Sequence, residues 1–132
     1  MQSYVDWVAP PRTHDQMIQG VHKQVGQNAR DVFDFLYRSM NAVKRFGRLA
    51  KFDYLTMLGK LGIAPIEPGS AYMIGATGPL KGARLLFGGK SSANELDSLL
   101  NELDAHIQVG MQVLEDALCN WQKSPSKFVS FR

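Results

Sequence analysis

Three clusters of side chains in this chain have types and spacings suited to chemistry. The first is Ile74-Gly75-Ala76-Thr77-Gly78-Pro79-Leu80-Lys81-Gly82-Ala83-Arg84, a small-residue turn that runs into a helical pattern with two cations. Backbone N–H groups at a helix start, with the positive end of the helix dipole behind them, suit a phosphate oxygen. Lys81 and Arg84 stand three apart and share a helix face. Gly75 and Gly78 permit close backbone approach. Thr77, Gly78, Lys81 and Arg84 are therefore phosphate-binding candidates, and the plainer alternative is a glycine-rich connector with solvated cations. The second cluster is Phe46-Gly47-Arg48-Leu49-Ala50-Lys51-Phe52-Asp53-Tyr54-Leu55. With Leu49, Phe52 and Leu55 turned inward, Arg48 and Lys51 share one edge of a helix and join the phosphate candidates. Asp53 either orients a neighbouring cation or serves as a base. The third cluster is Leu114-Glu115-Asp116-Ala117-Leu118-Cys119-Asn120-Trp121-Gln122-Lys123. Adjacent carboxylates point about 100° apart on a helix, so one of Glu115 and Asp116 lies near the apolar stripe and wants a cationic partner. Trp121 either stacks a nucleobase or completes the stripe as core.

Other chemistries find no support. His14, His22 and His106 lack zinc-ligand spacing, and Cys119 has no neighbouring cysteine. There is no P-loop and no dinucleotide fingerprint. No metal and no cofactor is expected.

Charge is unevenly spread. The 132 residues carry a formal charge of +3, yet segment 44–90 holds eight basic side chains against Asp53 and Glu67 alone. Segment 91–123 holds six acids against Lys123. The central segment either attracts phosphate through its local field or neutralises the acidic segment within one fold. With 45% apolar residues and no apolar run of about 18, no membrane span is expected. The N-terminus lacks a signal-peptide pattern, and a single cysteine excludes an internal disulfide. A cytoplasmic setting is expected.

The elements that must position these residues read as helices. Residues 1–14, with Pro10-Pro11, read as an extended arm, 15–123 as one helical domain and 124–132 as a tail. Apolar steps of three and four from Ile18 to Val43 predict one long helix, weakened at Gly20 and Gly26. A second helix spans about 48–60, and a third, short one begins near Pro79. Ser91 or Ser92 caps a long last helix to about Gln122, with Leu96, Leu100, Leu103, Ile107, Met111, Leu114, Leu118 and Trp121 inward. The expected fold is all-α: a bundle of about four helices, with a helix-hairpin-helix-like glycine turn before the short one. The first and last helices would pack antiparallel, or join copies into a homo-oligomer.

The strings FGRLAKFDYLTMLGKLGI, GATGPLKGARLLFGG and QVLEDALCNWQKSP, spread over about 46–125, resemble the alpha-glutamyl/putrescinyl thymine pyrophosphorylases, or amino acid:DNA transferases, of phages and mobile elements. The resemblance implies action on DNA whose 5-hydroxymethyluracil has been pyrophosphorylated, with an amine from an amino acid or polyamine replacing the pyrophosphate. It points to Gly47, Arg48, Asp53 and Tyr54, then Thr77, Gly78, Pro79, Gly82 and Arg84, then Glu115, Asp116, Trp121 and Gln122. In such chemistry fixed cations such as Arg48, Lys81 and Arg84 stabilise the leaving pyrophosphate. Asp53, Glu115 or Asp116 accepts the amine proton, and Trp121 or Tyr72 supports a displaced base. The implied partners are DNA and a small amine donor. A non-catalytic DNA-binding module and a protein-interaction module stay open beside it.

Overall fold

The computed structural model describes residues 1–127, so the end of the expected tail, 128–132, lies outside the described residues. Those residues form seven α-helices and one 3-10 turn, with no strand among them: α1 Gln2–Val8, α2 His14–Val25, α3 Ala29–Ser39, the turn Met40–Ala42, α4 Arg48–Lys60, α5 Gly78–Phe87, α6 Ala93–Ile107 and α7 Met111–Trp121. The all-α expectation holds; the expectation of four helices does not. No described helix is long and apolar enough to cross a membrane. The chain falls into two compact units, Met1–Gly69 and Ser70–Arg132.

In the first unit, the expected extended arm contains α1, and the expected long helix is three pieces. Gly20 stays inside α2, whereas Gly26 ends it at φ 86°. Asn28 then restarts the chain by accepting from the backbone N–H groups of Arg30 and Asp31. A good N-cap placed just after a positive-φ glycine outweighs continuous apolar periodicity. Thr13 caps α2 through a reciprocal pair with Gln16. The core of this unit joins Met17, Ile18 and Val21 to Phe33, Leu36, Met40, Phe52 and Leu55. Phe33 and Phe52 meet edge to face, 6.2 Å apart.

The second unit encloses Ala71, Met73, Ala83, Leu96, Leu100, Met111, Leu114 and Leu118. Its expected long helix is also broken. Gln108 at φ 52° and Gly110 at φ 87° separate α6 from α7. Buried Asp104 holds the break, its Oδ1 accepting from Gly110 N–H at 2.7 Å. Ile107 and Trp121, the last residues of α6 and α7, are exposed where both were expected inside. Neither of the long helices assigned to antiparallel packing or oligomerisation therefore exists as one rod. Ser92 caps α6, paired reciprocally with Glu95, and these hydrogen bonds hold the Glu95 carboxyl below its ordinary range. Segment 61–77 joins α4 to α5, far longer than the tight turn of a helix-hairpin-helix.

Candidate functional site

The sequence candidates divide between the units. Arg48, Lys51 and Asp53 lie on α4 in the first; Tyr72, Thr77, Gly78, Lys81, Arg84, Glu115, Asp116 and Trp121 lie in the second.

On α4 the expected orientation is partly reversed. Leu49 points outward, 58% exposed, while Lys51 is buried at 8%. The Lys51 ammonium donates to Asn41 Oδ1 at 2.6 Å and sits 4.2 Å from the centre of the Tyr37 ring. Its aliphatic stem packs while its charge finds an amide oxygen and a ring face, which is why a lysine is tolerated there. Burial lowers its pKa. Lys51 and Arg48 thus do not form one solvent-facing edge. Arg48 is half-buried at the helix start, its guanidinium 5.0 Å from the centre of the Phe52 ring, and Asp53 is exposed.

In the second unit, α5 shows a clear division of labour. Thr77, Lys81 and Arg84, at steps of four and three, are all exposed and occupy one face. Pro79, Gly82 and Ala83 are buried on the other. A Cβ on Gly78 would sit 2.7 Å from Cys119 Sγ, and one on Gly82 would collide with the Leu118 carbonyl. These glycines, one turn apart, let α5 lie backbone-close against α7. Gly78 thus packs a helix, a role additional to the phosphate approach expected of it. Pro79 removes one N–H from the helix start, and Lys81 N–H bonds to Thr77 O, so Gly78 and Leu80 supply the open donors of the first turn.

The acid pair splits. Glu115 is 2% exposed and belongs to the buried face of α7, whereas Asp116 is exposed. Trp121 is 39% exposed, with Nε1 donating to Pro125 O at 3.2 Å. Tyr72 is half-buried at φ 51°, its N–H donating to Ser70 Oγ at 2.9 Å.

A family model described as alpha-glutamyl/putrescinyl thymine pyrophosphorylase clade 3 matches residues 1–132, the whole chain. The chain belongs to this family. No curated protein and no solved structure matches it. The family's description points to thymine hypermodification.

Sequence reasoning missed a hydrogen-bonded cluster in the first unit. Tyr4 OH lies 2.8 Å from His14 Nε2 and 2.8 Å from Tyr54 OH. Burial first, then the contact with Tyr4, raises Tyr54 well above the ordinary tyrosine range. Residues 10 and 40 positions apart on three helices carry no local signal. Sequence spacing gives Tyr54 and His14 no reason to meet.

Proposed function

We propose that the chain is an amine transferase acting on pyrophosphorylated 5-hydroxymethyluracil in DNA, with its second unit carrying the chemistry. The observation that carries this reading is the exposed row Thr77, Lys81 and Arg84 on α5, in a member of a thymine pyrophosphorylase family. The amine nitrogen attacks the methylene carbon attached to the base, the carbon–oxygen bond breaks, and pyrophosphate leaves with the bonding electrons. Lys81 and Arg84 stabilise the negative charge on DNA phosphate and departing pyrophosphate. The proton shed by the ammonium passes to a carboxylate. Asp116 is the acid of the second unit best suited to this, since Glu115 is enclosed and Asp116 meets solvent. Asp53, exposed on α4, is the alternative. The amine donor is an amino acid or a polyamine.

The test is nucleoside mass spectrometry of DNA from cells that make the pyrophosphorylated base and express this chain. An amine-substituted thymine is expected with the wild-type chain and is lost with Asp116→Asn. Salt-dependent DNA binding without any new nucleoside would replace this reading with that of a binding module.

A further inference from the structure

Four rings of the first unit stand in file: Trp7, Tyr4, Tyr54 and Phe46, with successive centroids 6.0, 5.9 and 6.1 Å apart. All four are partly exposed. Their polar tips are already engaged, Trp7 Nε1 donating to Ser39 Oγ at 2.9 Å and the two tyrosine hydroxyls bonded to each other at 2.8 Å. What they offer a ligand is ring surface.

Beside Phe46 runs the segment 44–48, Lys-Arg-Phe-Gly-Arg, with three cations and no acid. Lys44 and Arg45 are exposed. Arg45 has φ 65°, a left-handed conformation that strains a non-glycine residue. Ser3 Oγ on α1 accepts from Lys44 N–H at 2.9 Å, tying the segment to the ring file. The chain thus holds a strained turn that keeps two cations in solvent next to aromatic surface.

We propose that Lys44, Arg45 and the adjoining rings of Trp7 and Phe46 bind single-stranded DNA, phosphates on the cations and bases on the ring surface. Cations interleaved with partly open aromatic rings suit a single strand, because every base has a face to stack and every nucleotide a phosphate. Duplex DNA keeps its bases stacked inside and would use the cations alone. This surface deepens the DNA reading above, and it is separate from α5 in sequence and in fold unit.

The test uses the full chain, a labelled oligothymidylate and a duplex, with anisotropy titrations over a range of salt. Arg45→Gly removes the cation and relieves the strained φ, so the variant folds. Its single-strand affinity should fall, with the log–log salt slope reduced by roughly 0.7 for one lost phosphate contact. Phe46→Leu keeps apolar bulk but loses the stacking face, and should weaken single-strand binding roughly five-fold or more. Single-strand binding that survives Arg84→Ala but not Arg45→Gly supports the surface. Unchanged affinity and slope in folded Arg45→Gly overturns it, as does wild-type binding to phosphatidylserine vesicles with none to the oligonucleotide. Failure of the α5 reading would show separately, as duplex binding insensitive to Arg84→Ala.

Discussion

Gly82→Ala places one methyl group where α5 and α7 are closest. The added Cβ would collide with the Leu118 carbonyl oxygen and lie 2.8 Å from its carbon and 2.9 Å from the Leu118 Cβ. Carbon atoms at rest stand about 3.5–4.0 Å apart, so the helices must separate by about 1 Å. The obstacle is backbone, which cannot rotate away as a side chain would. Overpacking costs typically about 1–3 kcal/mol, and a backbone obstacle puts this case near the upper end. Alanine returns about 1 kcal/mol of helix propensity. The expected net loss is about 2 kcal/mol, a drop of about 1 M in the urea midpoint for an m-value near 2 kcal/mol/M. Gly20→Ala is the control: it sits within α2 with nothing inside 4 Å of the added methyl. That variant should gain about 0.5–1 kcal/mol from propensity and lost unfolded-state freedom. Urea unfolding followed by far-UV circular dichroism reads both. A Gly82→Ala chain as stable as the parent would mean that α5 and α7 are not in backbone contact, and the packing role given to both glycines would fall.

Other outcomes follow from the same geometry. Arg84→Ala should weaken duplex binding and reduce its log–log salt slope by about 0.9, the value of one phosphate contact, as read by anisotropy. Glu115→Gln, altering a buried group, should lower stability by about 1–3 kcal/mol, read from the urea midpoint. Asp116→Asn should leave that midpoint unchanged and cut product formation by about 10²–10⁴. Tyr54 has its pKa raised on folding, so the stability tied to its neutral hydroxyl is complete below the ordinary value of 10.0 and declines as pH climbs beyond it. Tyr54→Phe should therefore be less stable at pH 8 but lose less stability above pH 10, measured by urea midpoints across that span.

The helical class was plain from apolar spacing alone, and so was the short helix after Thr77, because proline and glycine punctuate it. Helix continuity was misjudged for a physical reason. Periodicity runs through 26–28 and 108–110 almost unbroken, yet Asn28 and Asp104 satisfy backbone donors that a continuous helix would have used. Side-chain hydrogen bonds of this kind decide a break without disturbing the pattern of apolar residues. In the candidate site, spacing puts Lys81 and Arg84 on a common face, and they share one, with Thr77 exposed beside them. Lys51 was misplaced because charge argues for solvent, whereas its actual partners, Asn41 and Tyr37, lie 10 and 14 positions earlier in the sequence. The Tyr4–His14–Tyr54 cluster was beyond reach, since only the packed fold brings its members together.

The division at Gly69 and Ser70 also distributes the chain's two tryptophans, Trp7 to the first unit and Trp121 to the second. Each unit therefore carries its own intrinsic fluorophore. Trp121→Phe leaves emission from the first unit alone, and Trp7→Phe leaves it from the second. Transitions that coincide in the two single-tryptophan chains would mark one cooperative molecule, and transitions that separate would mark two that melt in sequence. The protein's own spectroscopy can thus follow each half separately, without any attached label.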